Sequence, residues 1–191
     1  MSRIGILGGT FDPPHNAHTT MASQAMERIP LEKVLFMPAP RPPHKQIEDL
    51  TPYEMRRAMV EAAIASEPRF ELSRLEEERE GPSYTIDLLD SLTARSDDEL
   101  YLILGADSVA DLSAWRHPGR ILELATLVVF PRTGYSPVVP VDGDLSVILF
   151  EEPVIDVSSS EIRQAWRGGH SKHKLIADPV RQFILDNSLY S

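Results

Sequence analysis

The chain has 191 residues, 42% hydrophobic and 25% charged, with a formal net charge of -10 and no cysteine. That length fits one domain over 1–191 with a helical C-terminal part from about 158, and roughly 70% of the unfolded chain's surface would be buried, enough for a core without staples. The acidic balance argues against a protein that mainly holds DNA or RNA. The missing cysteines exclude disulfides and thiolate chemistry. No apolar run approaches the ~18 residues of a membrane span, and no signal peptide is read at the start, so a cytoplasmic location is expected.

Arg3–Leu7 (RIGIL) is an apolar run stopped by Gly8-Gly9 and is predicted as a buried strand. Asn16 is predicted to cap a helix over Ala17–Ile29, with Ala17, Met21, Ala25 and Ile29 on one apolar face. Lys33–Met37 reads as the second strand, and the proline-rich Pro38–Lys45 as an extended loop. Thr51-Pro52-Tyr53-Glu54 has the form of a capping box opening a helix to about Ser66. Phe70–Ser73 is a short strand. The charged run Leu75–Gly81 is expected as a solvated loop, and Ser83 as the cap of a helix over Tyr84–Ala94. Glu99–Leu104 is a strong strand, followed by a short helix, Trp115 and a helix over Pro118–Leu124. Thr126–Phe130 and Ser146–Phe150 are strands, with a surface loop at Thr133–Asp144 before the second. Ser158–Glu161 is a second capping box, opening a helix to Trp166, and Asp178-Pro179 opens a last one ending near Asn187. Strand and helix alternate, which predicts an α/β, Rossmann-like, doubly wound and mostly parallel sheet with helices on both faces. Such sheets bind ligands beyond the carboxyl ends of their strands.

The sharpest feature is Gly8-Gly9-Thr10-Phe11-Asp12-Pro13-Pro14-His15-Asn16-Ala17-His18. Two glycines after a strand let backbone lie against a ligand. His15 and His18 are three apart across a helix start, where spare N–H groups and the helix dipole favour anions. Two imidazoles over such a turn suit a phosphoryl or nucleotidyl transition state. The spacing, with no third ligand nearby, is weak for zinc. Val157-Ser158-Ser159-Ser160-Glu161-Ile162-Arg163 is a second anion-favouring helix start, with Arg163 one turn in.

The first segment resembles the G-G-x-F-D-P-x-H-x-G-H signature of the HxGH nucleotidyltransferase superfamily, with Ala17 in place of its glycine. The second resembles that superfamily's I-S-S-T-x-I-R segment. Pro42-Pro43-His44-Lys45, Ser83-Tyr84-Thr85-Ile86-Asp87 and Gly105-Ala106-Asp107 with Leu112–Trp115 are similar to segments of the bacterial nicotinate-nucleotide adenylyltransferase family, and the likeness runs over nearly the whole chain. The resemblance implies transfer of AMP from ATP to nicotinate mononucleotide, giving nicotinate adenine dinucleotide and pyrophosphate without a covalent enzyme intermediate. It implies catalytic roles for His15, His18 and Arg163. It places ATP on Gly8, Gly9, Thr10, Phe11, Gly105, Asp107, Ser158 and Ser159. It places the acceptor on Lys45, Ser83, Tyr84, Thr85, Trp115 and Arg116, with Trp115 stacked on the pyridine ring and amides near Thr85 and Arg116 receiving the carboxylate. Mg²⁺ would ride on the ATP phosphates, since no carboxylate cluster looks like a dedicated cage. Taken without the resemblance, Trp115 and Tyr84 are equally core fillers, Lys45 a solvated lysine and Asp107 a helix cap. Another transferase of the superfamily, such as a pantetheine-phosphate adenylyltransferase or a cytidylyltransferase, or a non-catalytic nucleotide-binding module, fits the same turn. Self-association is neither required nor excluded.

Overall fold

The computed structural model describes residues 1–43, 45–135, 146–151, 155–169 and 173–191. Six strands form a single parallel sheet: β1 (Arg3–Gly9), β2 (Lys33–Pro38), β3 (Phe70–Leu72), β4 (Glu99–Gly105), β5 (Ala125–Phe130) and β6 (Val147–Leu149). Their spatial order is β3-β2-β1-β4-β5-β6. β1 pairs with β2 through Ile6↔Leu35 and with β4 through Ile6↔Leu102, so the direction of winding reverses between β1 and β4. A reversal of that kind leaves a crevice at the carboxyl ends of the two strands, which places the site before any side chain is considered.

The strands carry apolar residues on both faces because helices cover both. On β4 and β5, Leu100, Leu102, Leu104, Leu127 and Val129 face one way. They meet α3 (Thr85–Thr93), α4 (Ala106–Ala110) and α5 (Pro118–Leu124) through Ile86, Leu89, Val109 and Ile121. The alternate residues Ile103, Val128 and Phe130 face the other way with Val34 and Phe36. There they meet α1 (Asn16–Arg28) and α2 (Tyr53–Ile64) through Ala22, Ala25, Met26 and Val60. Each of the Val, Leu, Ile, Phe and Met side chains buried in full contributes about 1.5–3 kcal/mol. A third cluster joins α6 (Ser159–Arg167) and α7 (Asp178–Asp186) to α1 and α2 through Ile162, Val180, Ile184, Ala17 and Met59. This cluster brings the end of the chain under the turn that follows β1.

The expected strands and helices are present, and the differences concern their ends. α1 is capped by His15, and Asn16 instead donates its amide to the Lys174 carbonyl. α2 begins at Tyr53, and Thr51 serves other partners. α3 begins at Thr85, while the Ser83 hydroxyl accepts from the Arg41 N–H. The Ser158–Glu161 box forms as expected. The charged run is not a solvated loop: Leu75–Glu78 is a short 3-10 helix in which Leu75 and Glu76 are buried. The loop expected at Thr133–Asp144 lies outside the described residues beyond Tyr135, as does His44.

Candidate active site

Gly8 and Gly9 are not the turn itself. Both continue β1, and the left-handed residue is Phe11, with φ 51°. A side chain here would cost about 1 kcal/mol unless its ring were well placed; the Phe11 ring is buried, edge-on to His18 at 4.8 Å between centroids. A Cβ added at Gly8 would meet nothing within 4 Å, so that stretch of backbone is open to the crevice. The turn delivers His15 and His18 as a stacked pair, their ring centroids 3.8 Å apart and planes 24° from parallel. The His15 main-chain N–H donates to His18 Nδ1 at 3.1 Å. A neutral His18 therefore carries its proton on Nε2, as a donor. Burial, and then the neighbouring Arg132, lower His15 to a pKa of about 4. Burial and His15 hold His18 well below the ordinary imidazole value. Both are neutral near pH 7. Buried His15 Nδ1 has no hydrogen-bond partner among the described residues. An unpaired buried polar atom costs about 1–3 kcal/mol, a cost tolerated where a ligand is expected.

Arg163 lies across the turn. Its Nη1 donates to the Asp12 carbonyl at 2.6 Å and its Nη2 to Ser160 Oγ at 3.3 Å. Ser159 donates to the Pro13 carbonyl at 2.8 Å, and Ser158 to Glu161 Oε2 at 2.9 Å. Ser159 thus fixes the start of α6 against the turn while Ser158 caps the helix, and a ligand is offered that helix end instead of free hydroxyls. Lys45 is exposed and stands near Arg163, Asp12 and Arg56; partial burial, then Arg163, lower its ammonium from the usual value. Asp107 does not cap a helix. It pairs with Arg132 at 3.5 Å, and a Cβ at Gly105 would come within 2.5 Å of its Oδ1, so a larger residue there would turn the Asp107 carboxylate aside.

Two cavities flank the turn. The larger, of about 530 Å³, opens over Gly8, Gly9 and Thr10 and is walled by Tyr84, Thr85 and Trp115. Trp115 is half-buried, one side on the core and the other on the cavity. Arg116 lies 5.1 Å over the Tyr84 ring and pairs with Asp87 at 3.6 Å. Ser83 lies on the same wall, whereas Lys45 stands outside it, at the phosphate side. The smaller cavity, of about 240 Å³, is lined by Ala17, Met21, Gly105, Phe130 and Arg132. The methyl that replaces the signature glycine therefore faces this second cavity. Of the predicted residues, Gly8, Gly9, Thr10, Ser83, Tyr84, Thr85, Trp115 and Arg116 line the larger cavity and Gly105 the smaller, while the Phe11 ring is buried beneath the turn that stands between them.

Sequence reasoning missed Arg132, Glu76 and Arg56, and gave no role to Asp12, inside the signature segment, or to Tyr190, in the Asn187-Ser188-Leu189-Tyr190 ending that also resembles the family. Arg132 follows β5 by two residues, and a strand end on the same rim was the available signal. Glu76, 9% exposed, lines the larger cavity, and burial followed by Asp87 pushes its carboxyl up to about 7 against Arg79 and Ser83. Arg56, 1% exposed, donates to the carbonyls of Thr10, Ala39, Pro40 and Thr51. Nothing in the local pattern marks either as special.

Comparison with known proteins shows the family and the fold. The sequence profile of the cytidylyltransferase-like family matches residues 6–165. A probable nicotinate-nucleotide adenylyltransferase of Geobacillus thermodenitrificans is 43% identical over 191 residues, covering 100% of this chain and 87% of its own. The nicotinate-nucleotide adenylyltransferase of Bacillus subtilis is 39% identical, covering 100% and 99%. In fold, the chain is similar to the Plasmodium falciparum nicotinic acid mononucleotide adenylyltransferase complexed with NaAD, with TM-score 0.84, 20% identity, and 100% and 98% of the two chains covered.

Proposed function

Because this chain belongs to the cytidylyltransferase-like family, and within it to the nicotinate-nucleotide adenylyltransferases, we propose that it joins ATP and nicotinate mononucleotide into nicotinate adenine dinucleotide and pyrophosphate. The observation that carries the reading is the position of the stacked His15–His18 pair and Arg163, on a turn between one cavity walled by Trp115 and another beside Gly105. The acceptor's pyridine ring lies against Trp115, and its carboxylate takes donors at the start of α3. The adenosine end of ATP takes the smaller cavity, and its triphosphate crosses the turn.

The acceptor's phosphate oxygen attacks the α-phosphorus in line. The new O–P bond forms as the bond to the bridging oxygen breaks, and pyrophosphate leaves with that electron pair. The nucleophile is already ionised near pH 7, so positioning and charge stabilisation carry the reaction. His18 Nε2–H, Arg163 and the first amides of α1 and α6 donate to phosphate oxygens as charge moves toward the leaving group. Lys45 meets the acceptor's phosphate. Mg²⁺ enters on ATP as part of the substrate. Asp12 is engaged by Thr51 and Tyr190, and Asp107 by Arg132, so these carboxylates are not poised as ligands and the ion stays on the phosphates.

The test is pyrophosphate release from ATP with nicotinate mononucleotide, set beside the nicotinamide form, phosphopantetheine and CTP-dependent transfer. Turnover with one of those pairs but not with ATP and nicotinate mononucleotide would replace this reading by a sister transferase. Binding of ATP with no turnover on any acceptor would make the chain a binding module.

A further inference from the structure

Beneath the phosphate turn lies a buried carboxylate that the reaction does not use. Asp12 is 1% exposed. Its Oδ2 accepts the Thr51 N–H at 3.2 Å, and its Oδ1 accepts the Tyr190 hydroxyl at 2.6 Å. The main-chain carbonyl of the same residue accepts Arg163 Nη1 at 2.6 Å. One residue thus links the turn, the segment before α2, the start of α6 and the segment after α7.

We infer that Tyr190 is a positioning residue for the phosphate clamp: by holding the Asp12 carboxylate it fixes the carbonyl on which Arg163 is docked. Two features support this beyond the bond itself. First, the chain takes a costly path to put the hydroxyl there. Ser188 and Tyr190 are both left-handed, with φ 51° and 64°, and neither is glycine. Single non-glycine residues in that region cost about 1 kcal/mol or more and persist where the surroundings hold them. Leu189 between them anchors the bend through its N–H to the Ile184 carbonyl at 3.0 Å and through the third apolar cluster. Second, the bond is of the strong kind, a short hydroxyl-to-carboxylate contact in a water-poor place. Burial, with Asp12 beside it, raises the phenol above its usual pKa, so the group remains a donor throughout the working range. Without the hydroxyl, the Asp12 carboxylate keeps only the Thr51 amide among these bonds. A buried carboxylate short of donors shifts or draws in water, and its carbonyl moves with it.

The inference rests on the proposed reaction only for its kinetic readout. Its test is a double-mutant cycle between Tyr190→Phe and Arg163→Ala, followed as kcat, as KM for both substrates and as ATP affinity by calorimetry. Ile64→Val, in the second apolar cluster, serves as the control for lost stability. Tyr190→Phe is expected to lower kcat about 10-fold, well below its melting temperature, and ATP affinity severalfold, with the acceptor KM near wild type; once Arg163 is absent it should add less than about twofold to either loss. Ile64→Val trims the second apolar cluster at the end of α2, away from Asp12, Tyr190 and Arg163, so it should melt earlier while keeping wild-type kcat. Equal losses from Tyr190→Phe with and without Arg163 overturn the inference, as does a Tyr190→Phe protein that melts earlier with kcat and ATP affinity unchanged. Should the wild type bind ATP yet form no dinucleotide, the cycle is read on ATP affinity alone, which separates failure of the reaction from failure of the Tyr190 role.

Discussion

The two sides of the crevice are built differently. The phosphate side is tied down: His15, His18, Asp12 and Arg163 are linked to one another and to their surroundings by hydrogen bonds or ring stacking, with Arg56 beneath. The acceptor side is a roomy cavity walled by half-buried Tyr84, Thr85 and Trp115, with one buried carboxyl, Glu76, in its lining. A transferase needs its reacting phosphorus held to a fraction of an ångström, because misplacement there costs rate directly. The acceptor's ring is remote from the chemistry, and its contacts govern which molecule is taken. Damage on the first side should therefore appear in kcat, and damage on the second in KM for the acceptor.

His18→Ala should be the severest change, lowering kcat about 10³-fold, at the upper end for loss of one preorganised donor, while ATP still binds. Unchanged turnover in a rapid-quench assay would remove His18 from the chemistry. Arg163→Ala should cost about 10²-fold in kcat/KM for ATP, with Arg163→Lys recovering only part, because lysine cannot span both the Asp12 carbonyl and Ser160. Trp115→Ala belongs to the other side: we expect the acceptor KM to rise about 10-fold with kcat within about threefold. A fall in kcat alone would mean the two sides are not separable.

Glu76→Gln should change the acceptor side in a pH-dependent way. The wild-type carboxyl, pushed up to about 7, is largely neutral at pH 6 and largely ionised at pH 8. Once ionised it repels an acceptor's ring carboxylate but not a carboxamide, so the ratio of acid to amide KM should rise severalfold over that interval. In Glu76→Gln the ratio should stay flat; equal slopes for both proteins would mean that Glu76 only supports Ser83. The smallest effect concerns stability. His15 has its pKa lowered to about 4, so its unfolded form takes up a proton first as pH falls. Its neutral burial is fully tolerated above the unfolded value of about 6.5, and stability is lost from there down to about 4. Denaturant titrations at pH 7.5 and 5.5 should show His15→Gln losing about 1 kcal/mol less than wild type over that interval.

The phosphate turn was legible in the sequence because glycine, proline and histidine at fixed offsets have few other uses. The strand ends were legible to within one or two residues: Gly8-Gly9, Pro38 and Gly105 interrupt apolar runs, yet each still belongs to its strand. Helix starts were read less well, since a residue that can cap can also bond elsewhere. The Thr51 hydroxyl bonds with Tyr190, the Asn16 amide reaches the Lys174 carbonyl, and the Ser83 hydroxyl holds the Arg41 N–H. Glu76 and Arg56 were hidden by their neighbours. A charged side chain among other charges is usually solvated, and only the packing of distant segments buries these two. Tyr190 lies 178 positions from its partner, beyond any local pattern.

Arg56 binds Ala39 and Pro40 at one foot of the loop after β2 and Thr51 at the other, while also gripping Thr10. A span clamped at both feet to the same guanidinium can change its length and composition without shifting the turn beside it. Mutations between the feet can then explore new acceptors while the handling of ATP is left as it was, so the two halves of the reaction are free to diverge at different speeds.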